Sequence, residues 1–217
     1  MRRKSIFFIL LLTSFITGAM AFTLSSNKNP APTSNTTTGR DSGYRLGERL
    51  QSDVSKNPPT GATDFKEISW ETLLPKNWDP MKDLKNINMD TLQDGDPRAM
   101  EALKKIRAEW DNAPVEPTMN GTRVRIPGFI VPLDTRNGLL AEFLLVPYFG
   151  GCIHSPPPPS NQIIHVMPIK PKKMHMMDAV WISGVLETTS ADTVMGRASY
   201  QMKAMKVTPY IPPKNKP

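Results

Sequence analysis

From Phe22 to Thr63 the chain is rich in Ser, Thr, Asn, Pro and Gly, and its few apolar positions follow no period. Such a segment buries too little surface to offset the entropy of ordering, so residues 22–63 read as a disordered linker. The pattern changes near Asp64. Phe65, Ile68, Trp70, Leu73, Leu74 and Trp78 crowd together there, which predicts a short strand or helical turn plugged against a core. Next, Asp96-Pro97 offers an acid at a helix cap and a proline at the first helical position. Met100, Leu103, Ile106, Arg107 and Trp110 follow at helical spacing, and Asn112-Ala113-Pro114 closes the run. One amphipathic helix is the result.

After Pro117 the period drops to two. Thr122 to Leu133 places Val124, Ile126, Gly128 and Ile130 on one face and Phe129, Val131 and Leu133 on the other, with Arg123 and Arg125 at its exposed start. Glu142 to Tyr148, Ile163 to Ile169, Ala179 to Thr188 and Ala198 to Tyr210 read as four further strands. The last changes phase between Ala204 and Met205, as a bulge would cause. Glycines inside the first strand (Gly128) and the fourth (Gly184) suit sharp bending. The fold class read from this pattern is mainly β (α+β): a small, five-stranded, OB-like barrel preceded by one helix, a single β-rich domain over residues 64–212 with a tail at 213–217.

Composition narrows this further. The 22 prolines in 217 residues argue against a helical bundle, and the single cysteine cannot form an internal disulfide. The net charge of +7 owes three charges to Arg2, Arg3 and Lys4, which leaves 24 of the 27 basic residues against 20 acidic ones. Aromatic residues are 7% of the chain and the basic ones are scattered, so nucleic acid is not an expected partner. The basic triplet opens residues 1–21, where an apolar run from Ser5 to Met20 ends in Ala19-Met20-Ala21, a small-x-small signal-peptidase pattern. The expectation is an exported, periplasmic protein cleaved after Ala21. Its alternative is an uncleaved anchor that holds the domain at the inner membrane, facing the periplasm.

The chemically distinctive stretch runs from Val146 to Val166. Cys152 and His154 lie two apart, so an extended Gly151–Ser155 would point both side chains to one face. Thiolate and imidazole suit zinc or copper, and His165 on the next strand offers a third ligand. Gly150 and Gly151 permit close approach, Pro156, Pro157, Pro158 and Pro159 stiffen the loop in a left-handed extended form, and Asn161 and Gln162 offer amides to tie it back. The alternatives are a buried, space-filling Cys152 with a hydrogen-bonded core histidine, or a nucleophilic Cys-His pair, for which no nucleophile elbow is present. Met174, His175, Met176 and Met177, with Met167 upstream, resemble a soft-metal loop, but the neighbouring Lys172 and Lys173 would repel a cation, which favours loop or core methionines.

Together, ISWETLLPKNW, VRIPGFIVPLD, EFLLVPYFGGCIHSPPPPSNQ and VWISGVL resemble domain-of-unknown-function family 3299, bacterial exported proteins with a Cys-x-His-x-Pro-rich-Asn-Gln signature, over about Phe65 to Tyr210. The signature maps onto Gly150, Cys152, His154, Pro156 to Pro159, Asn161 and Gln162. Gly151 stands in place of an alanine and Ser160 in place of a proline, and His165 and the methionine cluster fall outside it. The resemblance implies export, a compact β-rich domain and an association with periplasmic metal homeostasis beside a transport system. It implies no catalytic activity. The functional expectation is an exported accessory binding protein handling zinc or copper for an envelope transporter or another periplasmic protein. The competing class is a protein-interaction module with a purely structural Cys/Pro loop, and the third is a thiol enzyme.

Overall fold

Alternation along strand β2 (Thr122–Arg136) divides the interior in two: Val124, Ile126 and Ile130 enter one apolar cluster, while Phe129 and Val131 enter another on the opposite face. The structure is a computed structural model that describes residues 43–52, 65–79, 97–155 and 157–212. The expected signal or anchor segment 1–21, most of the expected linker 22–63, Pro156 and the expected tail 213–217 lie outside the described residues. Among the described residues no helix is long and apolar enough to cross a membrane.

The remaining strands are β1 (Lys66–Glu67), β3 (Leu139–Val146), β4 (Ile164–Pro168), β5 (Ala179–Thr193) and β6 (Gly196–Pro209). They form one sheet in the order β1-β2-β3-β4-β6-β5, and β2 also pairs with β5, so each of β2 to β6 has a neighbour along both edges. The β1–β2 and β4–β6 pairs are parallel and the others antiparallel. With helix α1 (Pro97–Asp111), this is a β-rich α+β fold of six strands where the pattern predicted five. The addition is β1, two residues that lie beside Val124 and Arg125.

Two strand ends also differ from expectation. β2 continues three residues beyond Leu133 and β3 begins at Leu139, because Asn137 (φ 52°) and Gly138 (φ 75°) close a two-residue hairpin between the paired Arg136 and Leu139. Left-handed conformation at both central residues matches the twist of the flanking strands. The expected bulge is present. Ser183 pairs with Lys206 and Gly184 with Ala204, which leaves Met205 as the extra residue. The interior glycines are points of close approach. A Cβ on Gly128 would lie 2.6 Å from Leu145 Cγ, and one on Gly184 would lie 2.6 Å from the Lys203 carbonyl oxygen.

Helix α1 ends where Asn112-Ala113-Pro114 predicted, but a different stripe faces the domain. Ala99, Ala102, Ile106 and Trp110 are half-buried, whereas Met100 and Leu103 are exposed. The helix touches the short turn Ser160–Gln162 and lies on the surface.

Within residues 22–63, expected as a linker, the described stretch Gly43–Ser52 packs against the domain. Gly47 donates its amide to the Phe149 carbonyl and Phe149 donates back to Glu48, both at 2.9 Å. Leu50 is buried, and Tyr44 packs edge-on to Phe129 at a ring separation of 5.2 Å. This strap covers the second cluster. Its polar composition hid two apolar side chains whose partners come from β2 and the β3–β4 loop.

Candidate functional site

After β3 the glycines decide the course of the chain. Gly150 adopts φ 85°, and its carbonyl accepts from the amides of Ile153, His154 and Ser155 at 3.3, 2.9 and 3.2 Å. Three amides converging on one oxygen form a tight turn where extended chain was expected. Cys152 sits at φ 66°, a left-handed conformation that costs a non-glycine residue about 1–3 kcal/mol unless its surroundings hold it there. Here the hold is packing: Cys152 lies half-buried against the second cluster, which also contains Phe129, Phe149 and Met177. His154 is exposed. The shared face assumed for the pair therefore has no extended backbone to produce it.

Burial pushes the Cys152 thiol up to about 11, which opposes formation of the thiolate that a metal or an electrophile requires. His165 occupies β4 opposite Leu144 and Gln201, with its Nε2 3.4 Å from Glu142 Oε2 on β3. Among the described residues no group of three or more His, Cys, Asp or Glu side chains is placed to hold a metal ion.

The other signature residues are engaged in holding elements together. Pro159 (φ −53°, ψ 147°) has the left-handed extended form expected of the proline run, and the chain then turns through Ser160–Gln162. Asn161 donates to the Pro114 carbonyl at 2.8 Å, which ties the turn to the segment that follows α1. Gln162 donates to the Trp70 carbonyl at 2.9 Å, and Trp70 in turn donates its indole N–H to the Pro127 carbonyl at 2.7 Å. The amides thus tie the loop back, as expected, to elements 47 and 92 residues away in sequence. Tyr200 adds another joint. Its hydroxyl donates to Leu73 and accepts from the Glu116 amide, and burial pushes it up to about 12.

Met174 to Met177 also form a turn. Met174 packs on the first cluster, His175 and Met176 are exposed, and Met177 (φ 63°) is buried. The Gly150 amide points at the Met177 sulfur at 3.1 Å, so the cysteine loop and the methionine loop meet there. The methionines are loop and core residues.

Beside this junction lies a groove that the sequence reading missed. Its volume is about 810 Å³, and Tyr44, Met174, Met177, Val180, Val207 and Tyr210 supply its apolar wall. Lys172 and Asp178 stand at its rim, and both are engaged by backbone: the Lys172 ammonium donates to the Val207 carbonyl at 3.1 Å, and Asp178 accepts from the His175 amide at 2.8 Å. Tyr44 and Tyr210 come from opposite ends of the described chain, so no local pattern announces the site.

The sequence matches the family described as protein of unknown function (DUF3299) over residues 70–209. A crystal structure of a DUF3299 family protein from Pseudomonas aeruginosa PAO1 is 35% identical, covers 69% of this chain and 98% of its own, and superposes with a TM-score of 0.54. An OBody bound to hen egg-white lysozyme (13% identity, 45% of this chain and 89% of that one, TM-score 0.30) is far more distant. So is a putative aspartyl-tRNA synthetase from Leishmania major Friedlin (8% identity, 74% of this chain and 23% of that one, TM-score 0.33). Neither of these two supports a conclusion about fold or function. No curated protein matches.

Proposed function

This chain belongs to the DUF3299 family of proteins of unknown function, and from that premise we propose an exported accessory binding protein that takes a small apolar ligand in the groove beside Met177. The observation that carries this reading is the groove itself. A volume of about 810 Å³ falls in the usual range for small-molecule sites, roughly 300–1,000 Å³. Its wall is mainly apolar and aromatic; of the polar residues that line it, Lys172 and Asp178 are engaged by backbone while Lys173 and Thr208 add a cation and a hydroxyl, so the chemistry on offer is mainly apolar burial. In this proposal the ring of pairings among β2 to β6 is a small barrel of the OB type, and the Cys/Pro loop is the brace that shapes one wall of the groove. Zinc or copper handling at Cys152, His154 and His165 is not carried forward, because the tight turn and the raised thiol both work against it.

An environment-sensitive apolar dye tests this directly. Anilinonaphthalene sulfonate is expected to bind saturably at one molecule per chain. Thr208→Trp, which fills the groove from its β6 wall, is expected to weaken that binding by about tenfold or more, a change of ~1.4 kcal/mol. Equal dye binding by the two chains would refute the groove as the site.

A further inference from the structure

A second surface, independent of the groove, is built by the bulge in β6. Ala204 points into the first cluster, so strict alternation would turn Met205 out and Lys206 in. The extra residue resets the phase. Lys206 faces outward opposite Ser183, Met205 is 49% exposed beside it, and Val207 returns to the core. Lys203, three residues before Lys206, also faces outward, in a row with Val185 and Arg123. The Ile169 amide bonds to the Ala204 carbonyl at 2.9 Å, which brings the 58% exposed Ile169 and the exposed Lys170 alongside. Two apolar side chains in solvent are thereby set among Lys170, Lys203 and Lys206. Among the described residues no ion pair engages these three lysines.

We propose that this face docks on the surface of an anionic lipid bilayer, with Ile169 and Met205 entering the headgroup region and the three lysines meeting lipid phosphates. Lysine stems cover apolar surface while their ammonium groups reach polar headgroups, and membrane attraction grows with both buried apolar area and basic charge. Single-stranded nucleic acid fits less well. It needs exposed aromatic platforms, and the nearest rings on this side are occupied: the Arg125 guanidinium lies 4.0 Å from the Trp181 centroid and Arg123 lies 4.5 Å from that of Phe65. An acidic protein fits less well too, because the two guanidinium forks on this side, Arg123 and Arg125, already lie over Phe65 and Trp181, which leaves point-charge lysines around apolar side chains.

The test is co-sedimentation of the full chain with vesicles of phosphatidylcholine alone and with vesicles that also contain phosphatidylglycerol. The wild type is expected to partition about tenfold or more in favour of the anionic vesicles and to lose that preference in high salt. In Lys203→Glu/Lys206→Glu, folding being checked by circular dichroism, partition to anionic vesicles should fall by about 25-fold or more, roughly fivefold per lysine lost. Ile169→Ser/Met205→Ser should weaken it several-fold at unchanged charge. Any contribution of residues 1–21 is common to all these chains and cancels in the comparison. Undiminished preference in the glutamate variant overturns the proposal. So does tighter binding of an acidic peptide or an oligonucleotide through the same lysines.

Discussion

Trp70→Ala is expected to cost about 4 kcal/mol of unfolding free energy, within the range for deletion of a buried aromatic side chain. The ring is buried in the first cluster, and its N–H is the partner of the Pro127 carbonyl. Truncation opens a cavity and leaves that carbonyl without its donor, two penalties that add. Since a domain of this size is stable by only about 5–15 kcal/mol, the loss is a large share of the total. Equilibrium urea unfolding followed by circular dichroism measures it. A change under about 1 kcal/mol would mean that the segment Phe65–Trp78 is not the plug of the core.

Gly184→Val should be nearly as damaging, at about 2–3 kcal/mol, through steric overlap. The backbone of Gly184 is outside the left-handed region, so conformational strain is not the cause. A Cβ there meets the Lys203 carbonyl at 2.6 Å and the Met202 side chain at 2.8 and 2.9 Å, so β5 and β6 must separate where the bulge already loosens their ladder. Thermal denaturation should show a lower midpoint, and wild-type stability in this variant would place β5 and β6 further apart than described.

Local chemistry explains what could be read from the sequence. The α1 boundary at Asn112-Ala113-Pro114, the two-faced alternation of β2 and the bulge at Met205 each depend on neighbours within a few residues, and each is present in the fold. Asn137-Gly138 is an equally local hairpin signal, and it carries β2 past Leu133 to Arg136. The strap Gly43–Ser52 and the groove were beyond reach, because Tyr44, Phe129 and Tyr210 become neighbours only once the sheet has formed. At the cysteine loop the residues marked a special place but not its shape. The argument that two residues apart means one face holds only for extended backbone, and Gly150 permits the tight turn that cancels it. Asn161 and Gln162 were recognisable as ties, whereas their distant partners, the carbonyls of Pro114 and Trp70, were not.

That Cys152 belongs to the packing of this loop and is not a metal ligand is tested most directly by calorimetric titration of the reduced, tag-free chain with zinc. Burial raises the thiol to about 11, which disfavours the thiolate at neutral pH, and the left-handed turn leaves His154 in solvent. The predicted result is no heat of binding at micromolar protein, for the wild type and for Cys152→Ser alike. Stoichiometric zinc uptake by the wild type, lost in Cys152→Ser, would contradict it.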